Sequence, residues 1–362
     1  MVFINDVLAQ NAKTRELPLA TSAYAFEPQQ VEDHLRAHIV GQDHAINSIR
    51  QQLNIIKAGL YDPRRPLLSA LFLGDTGTGK TETVRQIARA IHGRDDAFCR
   101  IDMNTLSQSH YSAAITGAPP GYVGSKDNLT MLNDELISGT LTRPGIVLFD
   151  EIEKASTDVV RSLMNILDNG MLRLASGQKE ISFRNTLVFM TSNAGSRQWQ
   201  QAHAYHWLPA FLQARKRSAL QKKALFRHFD SEFLNRIGCI ESFKPLDFSS
   251  LPQITELQIS ELNQMLKRHR VHVTFPQQVR LQLLERGYEQ HFGARSLQRL
   301  FNRKVMAPLA STLLTMKQSQ QPVELIAQLD GDTLFFTLGT EPQGNSAPSI
   351  KAVSAIKGED HD

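Results

Sequence analysis

An eight-residue segment, Gly-Asp-Thr-Gly-Thr-Gly-Lys-Thr at 74–81, limits the folds open to this 362-residue chain. It fits the phosphate-binding pattern G-x-x-x-x-G-K-[ST] without a gap. The apolar run 67–74 predicts a buried strand, and the stripe that follows, with Val84 and Ile87 among its members, predicts a helix closed by Gly93. The pattern therefore lies between a strand and a helix, which is the context that a P-loop requires.

Each residue type in this loop has a physical role in holding phosphate. Glycines let backbone N–H groups surround the phosphate oxygens because no Cβ is in the way, and the N-terminus of the following helix attracts the same anion. Lys80 can reach the β- and γ-phosphates of ATP, and the Thr81 hydroxyl can ligate Mg²⁺. The predicted nucleotide-binding residues of the loop are Gly74, Thr76, Gly77, Thr78, Gly79, Lys80 and Thr81.

Polar residues follow two further apolar runs, 145–150 and 185–192. Asp150 and Glu151 end the first run, and we expect Asp150 to hold Mg²⁺ together with Thr81, and Glu151 to polarise the attacking water. This carboxylate pair favours ATP hydrolysis over nucleotide storage. Asn193 follows the second run, where it could hold the water or contact the γ-phosphate, or be a plain turn residue.

Apolar runs that alternate with amphipathic helical patterns predict an α/β fold with a parallel sheet covered on both faces. Beyond about residue 245 helical patterns dominate, with a short strand at 271–275 and a hairpin signal at 330–332. The expected division is a loose N-terminal extension (1–30), a large α/β P-loop subdomain (31–245), a smaller, mostly helical lid subdomain with a short C-terminal β element (246–340) and a disordered tail (341–362).

Composition excludes several classes of protein. No stretch approaches eighteen apolar residues, so we expect no membrane span. The first residues carry Asp6 where a signal peptide needs positive charge, and we expect no export signal and a cytoplasmic protein. Cys99 and Cys239 are the only cysteines, which excludes a disulfide scaffold and favours a reducing compartment. The net charge of +4 is too small to indicate nucleic acid by itself.

Seven blocks occur along the chain: VGQDHAI (40–46), AGLYDPRRP (58–66), GAPPGYVG (117–124), VLFDEIEKA (147–155), FRNTLVFMTSN (183–193), EFLNRI (232–237) and GARSLQR (293–299). Their sequence and order resemble the Clp family of AAA+ unfoldases, above all the second ATPase module of its ClpB-type members. The resemblance extends from about residue 31 to about 338.

The resemblance implies roles that periodicity alone does not assign. Val40 and Gly41 match the segment that packs on adenine, and Asn193 matches the sensor-1 position. Arg295 matches the sensor-2 arginine, which reaches from the small subdomain to the phosphates. Arg236 matches the arginine finger that enters the neighbouring subunit's site. Because the finger acts in trans, the resemblance also implies a homo-oligomer, a hexameric ring.

The segment 121–124, Gly-Tyr-Val-Gly, is similar to the family's substrate-gripping pore loop, with Tyr122 and Val123 facing the substrate. An aromatic ring between flexible glycines can grip an extended polypeptide of any sequence. A second segment, 176–179, lies where the family places another pore-facing loop. The implied substrate is therefore a polypeptide threaded through a ring.

Two departures from the family limit the partners that we expect. The tripeptide that docks a ClpP-type peptidase is absent between residues 194 and 230, so we expect no such peptidase. In a chain of this length we expect neither the N-terminal substrate domain nor the coiled-coil arm of the larger relatives. We therefore expect recognition to depend on residues 1–35, the tail, the pore loops or an adaptor protein.

The segment 201–230 concentrates the basic residues. It holds six basic residues against one acid, a local charge of +5, so the rest of the chain carries −1. Such a run is typical of a solvated helix face, and it could also contact an acidic partner, a neighbouring subunit or nucleic acid. Three hypotheses follow: an ATP-driven protein unfoldase, a nucleic-acid-associated AAA+ protein, and a ring scaffold dedicated to one partner machine.

Overall fold

The computed structural model describes residues 22–106, 131–174, 180–196, 210–246, 248–287, 294–316, 321–331 and 333–339. The helices and strands before residue 247 are α1 (Pro28–His38), α2 (Asp43–Lys57), β1 (Leu68–Leu73), α3 (Lys80–His92), β2 (Cys99–Asp102), α4 (Asp134–Ser138), β3 (Gly145–Asp150), α5 (Thr157–Asn169), β4 (Met171–Arg173), β5 (Glu180–Ser182), β6 (Thr186–Ser192), α6 (Ala210–His228), α7 (Ser231–Leu234) and β7 (Cys239–Ser242). Short 3₁₀ helices cover Met103–Leu106 and Ile152–Lys154.

Five parallel strands form the central sheet in the order β2-β3-β6-β1-β7. All six residues of β3 and all seven of β6 are buried. A strand buried on both faces needs apolar side chains at nearly every position, which is why these runs read as continuous rather than alternating. The predicted α/β class, with a parallel sheet between helices, is confirmed.

Successive residues of each strand supply two separate cores, one on each face of the sheet. Phe72 and Leu148 pack with α1, α2 and α3, whereas Leu71 and Val147 pack with α5, α7 and the end of α6. The alternation follows from the two-residue period of a strand. Both faces of the sheet are therefore covered by helices.

The packed structure begins within the segment 1–30, which was expected to be a loose extension. Tyr24 and Phe26 are buried in the core beside α1 and α2, and the Tyr24 hydroxyl donates to Asn185 Oδ1 at 2.7 Å. Helix α1 starts at Pro28, where proline's fixed φ and missing N–H suit a first turn. Two isolated aromatic residues carry no periodicity, so their burial was not visible in the pattern.

The later residues form a helical unit with a core of its own. Its elements are α8 (Leu251–Leu266), β8 (Val271–Thr274), α9 (Gln277–Gly287), α10 (Ala294–Phe301), α11 (Ala307–Thr315), β9 (Val323–Asp330) and β10 (Thr333–Leu338), with 3₁₀ turns at Phe248–Ser250 and Lys267–His269 and a π-helical turn at Asn302–Met306. Strands β9 and β10 pair antiparallel around Gly331, where the hairpin was predicted, and β8 pairs with β9. The tail 341–362 lies outside the described residues. None of the described helices is long and apolar enough to cross a membrane.

Candidate functional site

Three neighbouring strands of the sheet bring the predicted catalytic segments together. Strand β6 lies between β1 and β3, and all three run parallel. Their carboxyl ends therefore meet at one edge, where β1 leads into the P-loop, β3 ends at Asp150, and β6 ends one residue before Asn193. Residues more than 100 positions apart in the chain are adjacent there because of this strand order.

The P-loop is closed around the amino group of Lys80. Lys80 Nζ donates to the carbonyl oxygens of Gly74 at 2.7 Å and Asp75 at 2.8 Å, and to Asn193 Oδ1 at 2.8 Å. Gly79 has a φ of 99°, a conformation that favours glycine, and it turns the loop into α3, whose first residue is Lys80. Burial lowers the pKa of Lys80 to about 8, although the negative charge of Asp75 opposes the shift.

Asp150 is buried at the end of β3 and is held by three neighbours. The Thr191 hydroxyl donates to Asp150 Oδ1, Arg100 Nη2 donates to Oδ2 at 2.6 Å, and Thr81 Oγ1 lies 3.4 Å from both oxygens. A carboxylate beside a hydroxyl is a hard-oxygen donor pair, which fits Mg²⁺ when phosphate and water complete its shell. Among the described residues, no group of three or more His, Cys, Asp or Glu is arranged to hold a metal.

Among the described residues of this edge, Glu151 alone combines a side chain with a left-handed backbone, with a φ of 59°. Asn104 Nδ2 donates to Glu151 Oε2 at 2.6 Å, and Asn193 Nδ2 donates to Oε1 at 3.2 Å. The Glu151 N–H donates to Thr191 Oγ1 at 3.0 Å. A left-handed conformation in a bulky residue costs free energy that its surroundings must offset. Here the neighbouring polar groups fix the carboxylate beside Asn193.

Four further residues of this edge were not identified from the sequence: Thr191, Arg100, Asn104 and Glu153. Glu153 Oε1 accepts the Asn193 N–H at 3.0 Å, which fixes the backbone that carries the Asn193 amide. Each is a common polar residue in or next to a strand, and its importance depends on which strand lies beside it. The pattern did not show that β2 and β6 both pair with β3, which brings Arg100 and Thr191 to Asp150.

A cavity of about 390 Å³ opens over the P-loop and reaches the helical unit. Val40 lines it from the large unit, and Arg295, at the second position of α10, lines it from the helical unit with an exposed side chain. The Ala294 N–H donates to the Gly77 carbonyl at 3.3 Å. Burial, reinforced by the charge of Glu82, raises the pKa of Glu261 on the far wall. The cavity size is typical of a site for a nucleotide-sized ligand.

Gly41 and Gly74 are not among the described residues that line the cavity. Gly41 directly follows Val40, which does line it, and Gly74 is the first residue of the P-loop. Gly41 precedes Gln42, whose Nε2 donates to the carbonyls of Lys244 at 2.9 Å and Thr78 at 3.2 Å, and whose Oε1 accepts the Lys244 N–H at 2.9 Å. A single buried amide therefore ties the segment before α2 to the P-loop and to the connection that leads into α8.

Arg236, another predicted functional residue, lies elsewhere. Arg236 follows α7, where its guanidinium contacts Asp168 and donates to Glu232 Oε1 at 2.9 Å, outside the cavity lining of its own chain. The hydrogen bonds that Arg236 donates to Asp168 first, and then to Glu232, raise the pKa of Arg236, so it keeps its charge. Tyr122 and Val123, with the second segment 176–179, lie outside the described residues.

Comparisons with known proteins agree with this architecture. Residues 65–240 match the family described as AAA domain (Cdc48 subfamily), and 246–325 match the C-terminal, D2-small domain of ClpB protein. The ATP-dependent protease ATP-binding subunit-like protein AmiB of Pseudomonas aeruginosa is 45% identical over 305 residues, covering 82% of each chain. A protein of Rhodococcus erythropolis named as an ATP-dependent protease ATP-binding subunit-like protein is 38% identical over 92% of this chain and 98% of its own.

Larger proteins match over part of their length. The chaperone protein ClpB of Aquifex aeolicus is 34% identical over 84% of this chain, which spans 30% of that protein. A cryo-electron microscopy reconstruction of closed Hsp104 with ATPγS and FITC-casein superposes with a TM-score of 0.71 at 26% identity, covering 86% of this chain and 51% of that one.

The fold and the P-loop edge define a AAA+ ATPase, in which a parallel α/β unit is followed by a helical small domain. Within that class the chain belongs to the Clp family, with the two-domain arrangement of a ClpB-like ATPase module. The resemblance drawn from the seven sequence blocks is confirmed.

Proposed function

We propose that this protein is a ring-forming AAA+ unfoldase that hydrolyses ATP and threads polypeptide substrates through a central pore. The observation that carries the proposal is the meeting of Lys80, Glu151 and Asn193 in one hydrogen-bonded cluster beneath a cavity that Arg295 enters from the second domain. A nucleotide bound in that cavity would contact both domains at once, so its hydrolysis could change the angle between the two domains.

Each residue of the cluster has a role in the proposed cycle. Backbone N–H groups of 76–81 and the Lys80 ammonium would bind the phosphates. Val40, which lines the cavity, and the adjacent Gly41 would hold the adenine side. Thr81 and Asp150 would hold Mg²⁺, which would neutralise phosphate charge. Glu151 orients the attacking water, and Asn193 fixes the Glu151 carboxylate and the γ-phosphate. Arg295 stabilises the charge that develops on the transferred group.

The proposed assembly is a homo-oligomeric ring, because Arg236 is charged and lies outside the cavity lining of its own chain. The resemblance to the Clp family implies six subunits. In a ring Arg236 would enter the neighbouring subunit's site. The polypeptide substrate reaches the ring directly or through an adaptor protein, and we expect no ClpP-type peptidase partner because the docking tripeptide is absent from 194–230. Hsp104 was reconstructed with casein, a polypeptide, and it shares this module's fold.

Tyr122→Ala is expected to leave ATPase activity within about twofold of the parent and to reduce unfolding of a tagged model protein at least about tenfold. The reason is that the aromatic ring supplies the gripping area but takes no part in phosphate chemistry. Tyr122→Phe keeps the ring and is the matched control, expected to unfold substrate normally. Normal unfolding by the alanine variant would contradict the assignment of 121–124 to the pore.

A second candidate function is supported by the exposed surface of α6. Lys222 and Lys223 are exposed there, as is Phe226, with 60% of its surface accessible. Basic and aromatic groups on one surface suit single-stranded nucleic acid. If Lys222→Gln/Lys223→Gln removes salt-dependent binding to single-stranded DNA, the nucleic-acid function is favoured. If the parent binds no DNA, this candidate is excluded and a dedicated protein partner remains the alternative use of this surface.

A further inference from the structure

The phosphate-binding loop contains a carboxylate, Asp75, where negative charge opposes the binding of a polyphosphate. Asp75 directly follows Gly74, and its side chain is 17% exposed. Its charge also acts on Lys80, whose ammonium lies in the same loop. Like charges brought together in a partly buried site destabilise each other more strongly than in water. A positive group paired with the Asp75 carboxylate would therefore favour the binding of ATP to this loop.

Arg217 of α6 supplies this counter-charge. Its Nη2 donates a hydrogen bond to Asp75 Oδ2, and the Arg217 side chain is only 11% exposed. Asp75 Oδ1 is buried and accepts no hydrogen bond from the part of the chain that the structure describes. Lys80 bonds the backbone carbonyl of Asp75 rather than its carboxylate. Direct neutralisation of the Asp75 side chain is thus the contribution of Arg217.

The register of α6 is set by a close backbone approach near Asn193. A Cβ added to Gly195 would lie 2.7 Å from the Cα of Gln221, so only glycine lets the two segments pack at this distance. Gln221 is buried, and Arg217 lies one helical turn before it on the same face. Packing of α6 against the segment that follows β6 therefore places Arg217 over the P-loop.

We propose that Arg217 is a positioning residue for ATP binding, which pairs with Asp75, removes a negative charge from the phosphate-binding loop and holds that loop against α6. The inference rests on the proposed nucleotide site and adds a residue outside its cavity lining. It also divides the basic segment 201–230 into two parts. Arg217 serves the P-loop, whereas Lys222 and Lys223 remain at the surface.

The test is a double-mutant cycle on the full chain, with the dissociation constant of a fluorescent ATP analogue as the readout. Arg217→Met is expected to weaken binding about tenfold, because it leaves an unpaired, partly buried carboxylate beside the phosphates. Asp75→Asn/Arg217→Met is expected to bind within about threefold of the parent, since the charge to be neutralised is gone. A control, Arg94→Met, breaks the exposed Arg94–Asp96 ion pair and is expected to leave the affinity unchanged.

Parent-like affinity of Arg217→Met, or a double variant as weak as the single one, would overturn the proposal. If thermal unfolding shows that Arg217→Met does not fold, the comparison moves to the Asp75→Asn background, where loss of Arg217 should then change the affinity less than about threefold. A larger loss there overturns the proposal. A parent that binds no ATP, or a Lys80→Ala variant that still binds it, would instead contradict the nucleotide site, so the two failures are distinguishable.

Discussion

Glu151→Gln is expected to bind ATP within about threefold of the parent and to lower kcat for hydrolysis by at least about two orders of magnitude. Glutamine has nearly the same shape, and its Oε1 can accept one of the hydrogen bonds that Asn104 and Asn193 donate to the carboxylate. It cannot take a proton from the attacking water, and positioned general bases contribute about 10²–10⁴ in rate. Binding and turnover therefore separate in this variant.

The measurement combines a nucleotide-binding titration with steady-state phosphate release. Glu285→Gln, at an exposed glutamate on α9 outside the cavity lining, removes the same charge and should leave both quantities unchanged. The variant also tests the proposed substrate threading. In ATP it should retain a polypeptide substrate during a pull-down, because the ring cannot complete its cycle. Turnover within about threefold of the parent would contradict the assignment of Glu151 to the attacking water.

Much of the α/β unit could be predicted because buried parallel strands are continuously apolar and helices repeat every three to four residues. The runs 67–74, 145–150 and 185–192 correspond to β1, β3 and β6 within one residue at each end. The P-loop and the carboxylate pair were found for a related reason. Their chemistry requires consecutive residues in one loop or at one strand end, so a local pattern is sufficient.

Contacts between distant segments could not be predicted in the same way. Helical spacing of the basic segment shows which residues share a face, but it does not show that Arg217 faces Asp75, 142 residues earlier. Arg100 and Thr191 become partners of Asp150 only because β2 and β6 flank β3. Tyr24 and Phe26 are buried, although no hydrophobic periodicity in the sequence around them predicts it. Strand order and helix register determine these contacts, and a local sequence pattern specifies neither of them.

Arg236→Ala is expected to abolish ATP turnover, with a loss of about 10³-fold or more, while ATP binding stays near the parent value. A guanidinium that enters a phosphoryl-transfer site stabilises charge in the transition state, and removing such a group costs about 10³–10⁵ in rate. Arg65→Ala is the matched control. Arg65 also approaches Asp168, at 3.9 Å, so its loss tests whether disturbing Asp168 is enough to stop turnover.

Mixing two inactive variants decides whether Arg236 acts on its own subunit or on a neighbour. A ring that contains both Glu151→Gln and Arg236→Ala subunits places some intact Glu151 sites beside intact Arg236 side chains. If Arg236 acts in trans, the mixture regains a measurable fraction of parent activity, and the fraction follows the mixing ratio. If it acts in cis, every subunit lacks one required group and the mixture stays as inactive as its components. Recovered activity would therefore establish both the direction of Arg236 and the need for a multi-subunit assembly, because two separate chains cannot complement each other in solution.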